Sequence, residues 1–225
     1  MDRDVSESSY NDSGARWGAA DAEARKKHRT ADDCNVYRLN NTIYFSDRIT
    51  YTTASELIKV LRIVEGDIMD DVRSMDGEVR KSKVKYAEAR IDPKPILLHL
   101  TTHGGLVHAA LAVVDCISTM RVPVHTIITG YVASAGTLIS LAGTKRLITA
   151  NAFMMIHEIR SGFWGRYSDA RVEHENLTKL MEHVTKYYVE NTKITREKLT
   201  EMLRTDTDLT PAEALELGLV DEIMK

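Results

Sequence analysis

Twice in succession the sequence places a buried strand, a glycine-containing turn and an apolar helix in the same order. The first copy runs from the apolar segment 96–100 through two adjacent glycines into a helix over residues 107–117. The second runs from segment 124–129 through one glycine into a helix that begins near Ser134. Such alternation predicts parallel strands joined by crossover helices, and therefore the α/β class. Both turns then lie at the carboxyl ends of neighbouring strands, where open α/β sheets bind their ligands.

The region before these two units predicts a hairpin and a helix. Residues 36–39 and 42–45 are short runs of β-forming residues separated by two asparagines, which are a turn signal. Apolar residues then recur at helical spacing over 57–68, which predicts an amphipathic helix. Thr53 followed by Glu56 has the spacing of a capping box, so we expect this helix to begin there.

Composition along the chain predicts one folded domain with two polar appendages. Residues 1–33 are rich in Ser, Asp, Arg, Lys and Gly, which predicts a flexible N-terminal arm. The remaining segment, 34–225, is long enough for a single large core. Within it, half of the residues from about 69 to 92 are charged and the apolar ones keep no regular period, which predicts a solvated, partly helical insertion.

The charge balance and the cysteines argue against several classes of function. Thirty Lys and Arg residues against 33 Asp and Glu give a net charge of −3, so we expect neither nucleic acid nor a membrane as a partner. Cys34 and Cys116 match no disulfide, zinc or redox pattern and favour the reducing cytoplasm. The eight histidines include no H-E-x-x-H pair, so we expect no metal site. No apolar signal follows the first residues, and every long apolar region is interrupted by polar residues or glycine.

Four polar residues at three places in the chain are candidates for catalysis, and each also has a simpler structural explanation. Ser134 follows a strand and opens a helix, where a serine is commonly an N-cap. His157 follows the apolar run 153–156, where a histidine is commonly a hydrogen-bonded rim residue. Asp206 and Asp208 lie in the connection before the last helix, where aspartate commonly stabilises a turn or cap. The individual residues leave these alternatives open.

Four segments taken together resemble, in order and spacing, the motifs of the proteolytic subunit of the Clp protease family (ClpP). They are 101–105 (TTHGG), 130–136 (GYVASAG), 155–158 (MIHE) and 209–221 (LTPAEALELGLVD). The resemblance covers roughly residues 35–225. It implies the ClpP/crotonase-like fold, a spiral of ββα units with a mainly parallel sheet and a protruding strand–helix handle at about 160–190.

The resemblance also implies roles for individual residues. Ser134 would be the nucleophile, His157 the general base and then acid, and Asp206 the carboxylate that orients the imidazole. Asp208 is the fallback for Asp206. The backbone N–H groups of Gly105 and Ala135 would form the oxyanion hole.

Further residues match positions that flank bound substrate or join subunits. His103, Gly104, Gly162 and Phe163 would lie beside the peptide, and Phe163 with Trp164 would anchor an interface between two rings. His103 stands where the family usually has proline, which would place a titratable group beside the substrate path.

Assembly and partners are implied in the same way. The resemblance implies a homo-oligomer of two stacked heptameric rings, a tetradecamer whose pores are formed by the N-terminal segments and fed by an ATP-driven AAA+ unfoldase. This chain has no G-x-x-x-x-G-K-[ST] motif, so it would carry no cofactor, and ATP would be used only by the partner. The expected activity is that of an ATP-dependent serine endopeptidase that cleaves unfolded polypeptides in the cytoplasm.

Three alternatives remain at this stage. A capsid-maturation protease uses the same fold for one defined cut, and a crotonase-like acyl-CoA enzyme shares the ββα spiral and the paired backbone donors. The third alternative is a catalytically silent ring subunit. The presence of Ser134, His157 and Asp206 favours a protease, because crotonase chemistry does not need a serine triad.

Overall fold

A computed structural model describes residues 34–81 and 92–224 of the chain. The predicted N-terminal arm, 1–33, and the end of the predicted insertion, 82–91, lie outside the described residues. The division of the chain into an arm and one domain therefore stays a prediction.

The described residues form eight strands and six helices. The strands are β1 (Val36–Leu39), β2 (Thr42–Phe45), β3 (Ile96–Thr102), β4 (Val124–Ala133), β5 (Lys145–Thr149), β6 (Phe153–Met155), β7 (Asp208–Leu209) and β8 (Glu222–Met224). The helices are α1 (Tyr51–Lys81), α2 (Val107–Ser118), α3 (Ala135–Leu141), α4 (Tyr167–Asn191), α5 (Arg196–Leu203) and α6 (Pro211–Glu216).

The strands form one mostly parallel sheet in the order β1-β2-β3-β4-β5-β8. Strand β1 is antiparallel to β2, as the predicted hairpin requires, and the other strands of this order are parallel to their neighbours. Strand β4 changes partner along its length, because residues 125–128 pair with β5 whereas 131–133 pair with β6. Gly130 lies between the two pairings with a φ of 65°, a conformation that glycine adopts without strain. The predicted α/β class with a mainly parallel sheet is confirmed.

Burial along β3 shows how the sheet separates its two faces. Ile96, Leu98 and Leu100 are fully buried, whereas the residues between them are half-buried. Leu57 and Leu61 of α1 belong to the same core and are fully buried as well. Burial of each such side chain contributes about 2 kcal/mol. The predicted strand and the predicted amphipathic helix are both present, and they form the core that supports the site.

Helix α1 begins earlier than the sequence predicts. The Thr50 N–H donates to Thr53 Oγ1 at 2.9 Å, and the Thr53 N–H donates to Thr50 Oγ1 at 3.1 Å. The helix begins at Tyr51, so Thr50 lies at its start and Thr53 lies inside its first turn. The predicted capping box from Thr53 to Glu56 is therefore wrong. The helix also continues to Lys81, so the described part of the predicted insertion is helical.

The handle predicted at about 160–190 is a helix preceded by an irregular segment. Helix α4 begins at Tyr167, and residues 156–166 belong to no strand of the described sheet. A strand in this segment would need a neighbouring edge to pair with, and the predicted edge belongs to another copy of the chain. Trp164 is fully exposed and Phe163 is 45% exposed. The aromatic residues expected to join two rings therefore lie on the surface of the single chain.

Among residues 34–81 and 92–224, no helix is both long and apolar enough to cross a membrane. The same residues contain no group of three His, Cys, Asp or Glu side chains placed to hold a metal ion.

Candidate active site

Ser134 lies in a strained turn between the end of β4 and the start of α3. Its φ of 55° and ψ of −129° lie in a region that side-chain-bearing residues rarely adopt, which costs on the order of 1–3 kcal/mol. The surrounding backbone maintains this conformation, because the Ser134 N–H donates to Met155 O at 2.9 Å and the Thr137 N–H donates to Ser134 O at 3.0 Å. The Ser134 side chain makes no capping hydrogen bond to α3. Ser134 therefore occupies the N-cap position of α3 but does not cap it through its side chain, which leaves the hydroxyl available for chemistry.

Gly104 and Gly105 lie against this turn in conformations that no other residue would adopt without strain. Gly104 has a φ of 86°, and a Cβ placed on it would lie 2.7 Å from the Ser134 Cβ. Gly105 has a φ of 154°, and a Cβ there would lie 2.0 Å from Ile49 O. Ile49 is bonded to both neighbours of Gly105, because its N–H donates to Gly104 O and its carbonyl accepts from the Leu106 N–H, each at 2.9 Å. Ile49 and Gly105 thus form a parallel β-bridge. In such a bridge the N–H of Gly105 faces away from Ile49.

The two backbone donors expected for an oxyanion hole line the same cavity as Ser134. Ala135 is the first residue of α3, so its N–H has no acceptor within that helix. The N–H of Gly105 is turned away from its bridge partner, as described above. Two such donors near a nucleophilic oxygen can stabilise the negative charge that develops on a carbonyl oxygen under attack.

His157 follows β6 and lines this cavity as well. Its side chain is 13% exposed, and its Nδ1 atom is buried without a hydrogen bond among the described residues. The Asp206 Oδ1 atom lies 4.0 Å from Nδ1, which is beyond hydrogen-bonding distance. The Asp206 Oδ2 atom pairs instead with the guanidinium of Arg160. The structure thus brings Asp206 to the correct edge of the imidazole without closing the hydrogen bond.

Asp208, the fallback for Asp206, is engaged elsewhere. Its Oδ1 atom accepts a hydrogen bond from the Tyr131 hydroxyl at 2.8 Å. Burial, together with this bond to a carboxylate, raises the pKa of Tyr131 to about 12. Asp206 is therefore the better candidate to orient His157.

The cavity has a volume of about 680 Å³ and opens to solvent at the carboxyl ends of β3 and β4. Six of the predicted site residues line it: His103, Gly104, Gly105, Ser134, Ala135 and His157. Apolar side chains form one part of its wall: Val107, Leu138, Val184 and Tyr188. Charged side chains form another part: Asp47, Arg48, Glu158 and Arg160. Gly162 and Phe163 are exposed and do not line the cavity of the single chain, so their role beside the substrate stays a prediction.

Two features of the site were not anticipated from the sequence. The first is a buried hydrogen-bond chain in which the Tyr188 hydroxyl bonds Thr137 Oγ1, and Thr137 Oγ1 donates to Ser134 O at 2.6 Å. Tyr188 is 3% exposed, and burial raises the pKa of its hydroxyl. A tyrosine on the apolar face of a helix was the only available signal, because a buried hydroxyl needs a partner. The second feature is the pairing of Arg160 with Asp206, for which the sequence has no local pattern.

The site combines a serine in a strained strand-to-helix turn, a histidine in the same cavity and two backbone N–H donors. These are the groups that serine hydrolases use for acyl transfer. Residues 46–225 match the family model for Clp protease, and this range includes every candidate site residue. The chain belongs to the Clp protease family and is a ClpP-like serine peptidase. This match favours a peptidase over the acyl-CoA enzyme considered above.

Proposed function

We propose that this protein is a serine endopeptidase that hydrolyses unfolded polypeptides with Ser134, His157 and Asp206 as its triad. The observation that carries the proposal is the strained turn at Ser134, which opens into one cavity with His157 and the backbone of Gly105 and Ala135. Backbone strain of this kind persists where the surrounding structure overdetermines it, commonly at catalytic sites.

The proposed reaction has two steps of acyl transfer. Ser134 Oγ attacks the peptide carbonyl carbon while His157 accepts the hydroxyl proton, and the Gly105 and Ala135 N–H groups stabilise the oxyanion. His157 then donates this proton to the departing amine, which breaks the C–N bond and leaves an acyl group on Ser134. Water, deprotonated by His157, attacks the ester and releases the second peptide, and the proton returns to Ser134 Oγ.

Asp206 would act on the imidazole only after a small movement. A neutral histidine that accepts a proton on Nε2 carries its own proton on Nδ1, so it needs an acceptor at that edge. Asp206 Oδ1 lies 4.0 Å away. A charge-assisted bond at about 2.8 Å requires the two groups to approach each other by about 1 Å.

We also propose that the catalytic cavity lies inside a tetradecamer of two stacked heptameric rings, fed by an AAA+ unfoldase that hydrolyses ATP. The exposed Phe163, Trp164 and Tyr167 support an interface at the handle, because clustered exposed aromatic side chains mark surfaces that are covered in an assembly. ATP use is assigned to the partner because this chain has no Walker A motif. A cytoplasmic location is favoured by cysteines that match no disulfide pattern.

Hydrolysis of unfolded casein, measured together with native mass, tests the proposal. We expect casein to be degraded to short peptides by the wild-type assembly and by the Ser118→Ala variant, whose serine lies at the end of α2 outside the cavity. We expect no degradation by Ser134→Ala assembled to the same mass. Equal degradation by wild type and Ser134→Ala would contradict the proposed nucleophile, and a monomeric active protein would contradict the chamber.

A further inference from the structure

Asp206 has two basic side chains as neighbours, one at each of its carboxylate oxygen atoms. Its Oδ2 atom pairs with the Arg160 guanidinium, and its Oδ1 atom faces His157 Nδ1 at 4.0 Å. The Asp206 side chain is 50% exposed and that of Arg160 is 68% exposed, whereas that of His157 is 13% exposed. The carboxylate is therefore bonded to its exposed neighbour and not to its buried one.

The relative strengths of these contacts indicate that this arrangement is easily changed. An ion pair between two side chains as exposed as these contributes little and is weakened by salt. A buried imidazole nitrogen without a hydrogen-bond partner is costly, and a bond between His157 Nδ1 and Asp206 would relieve that cost. Once Arg160 binds another anion, Asp206 loses its ion pair, and a hydrogen bond from its carboxylate to His157 becomes the more favourable contact.

The position of Arg160 shows where such an anion would come from. Arg160 lines the cavity that contains Ser134, whereas Asp206 does not. A peptide bound in the cavity would therefore meet the guanidinium directly. A glutamate or aspartate side chain of that peptide offers Arg160 a carboxylate of the same kind as that of Asp206.

We propose that Arg160 is a positioning residue that holds Asp206 away from His157 in the resting chain and releases it to an acidic side chain of the substrate. The proposal rests on the triad of the proposed function and gives it a substrate preference for peptides with Asp or Glu near the cleaved bond. An acidic substrate thereby frees Asp206 to bond His157, which completes the triad.

The test compares wild type, Arg160→Gln and Arg160→Lys in the full chain, with Arg196→Gln as a matched control. Arg196 also forms an exposed pair, with Glu182, and lies outside the cavity. All four proteins are first checked for equal assembly mass and thermal unfolding. Arg160→Gln should label with an uncharged fluorophosphonate about two- to fivefold faster than wild type, the range expected for an exposed ion pair. Arg160→Lys should label close to the wild-type rate, because it retains the charge, and Arg196→Gln should be unchanged.

The second arm uses two peptides that differ only by Glu or Gln beside the cleaved bond. Wild type should cleave the Glu peptide with a kcat/KM about two- to fivefold higher, and Arg160→Gln should cleave both equally. Raising the salt concentration should speed the labelling of wild type but not of Arg160→Gln. If Arg160 were only structural, Arg160→Lys would not restore the wild-type labelling rate, and salt would not affect wild type and Arg160→Gln differently.

The outcomes separate this inference from the function on which it rests. If wild type labels and Arg160→Gln labels no faster, or if the Glu preference survives in Arg160→Gln, the positioning role is overturned and the serine peptidase stands. If no variant labels although all are assembled, the proposed triad is overturned, and the role of Arg160 with it.

Discussion

Replacement of Gly105 by alanine tests the geometry of the oxyanion hole most sharply. A Cβ at this position would lie 2.0 Å from Ile49 O, and the residue has a φ of 154°. Ile49 cannot simply move aside, because it is fully buried and is bonded through its backbone to Gly104 and Leu106. The glycine loop must therefore shift by at least about 1 Å to restore a normal contact.

A shift of this size removes the Gly105 N–H from the position of the oxyanion. Loss of one such donor lowers the acylation rate about 100- to 1,000-fold, or about 3–4 kcal/mol of transition-state stabilisation. We therefore expect Gly105→Ala to label with a fluorophosphonate at least about 100-fold more slowly than wild type. The strain should also lower its melting temperature.

Gly66 provides the matched control because it lies within α1 and a Cβ there would meet nothing within 4 Å. Gly66→Ala should retain the wild-type labelling rate and raise the free energy of unfolding by about 0.5–1 kcal/mol. The reasoning is refuted if assembled Gly105→Ala labels within threefold of wild type.

Three further predictions concern other residues around the core and the site. Asp206→Asn should lower kcat on a fluorogenic peptide by a large factor and Asp208→Asn by little; equal losses would mean that the aspartates are misassigned. Tyr188→Phe should lower the free energy of unfolding in urea by about 1 kcal/mol, through loss of the buried bond to Thr137. Glu65 is 5% exposed, and although burial favours its neutral form, hydrogen bonds from the Arg121 N–H and the Arg62 side chain lower its pKa below 4.5. Glu65→Gln should therefore lower the free energy of unfolding by about 1–3 kcal/mol at pH 7. This difference between wild type and variant should shrink as the pH falls below 4.5, through the pKa that Glu65 has in the folded state. An equal difference at pH 7 and pH 3, measured by urea denaturation, would contradict the prediction.

The fold could be predicted because its signals are local. The strand at 96–100 is apolar and short, and the adjacent glycines mark the turn that follows it. A cap with one candidate residue can be read from the sequence as well, because Thr210 and Glu213 have the spacing of the capping box that they form. The start of α1 was misplaced because Thr50 and Thr53 both have the chemistry of a cap, and spacing alone did not distinguish them.

The site could be predicted only in part because its remaining contacts join distant parts of the chain. Arg160 and Asp206 are 46 residues apart, and Thr137 and Tyr188 are 51 residues apart. No spacing rule connects such pairs, since the fold alone brings them together. The handle strand was expected from the resemblance, yet a strand needs a partner edge that a single chain does not supply.

The most direct test of the central claim is to map the fluorophosphonate adduct on the assembled protein by mass spectrometry. We expect one adduct, on Ser134, which is absent from His157→Ala and present in His174→Ala, whose histidine is exposed on α4. This result would show that His157 activates Ser134. An adduct on another serine, or an undiminished adduct on Ser134 in His157→Ala, would contradict the claim.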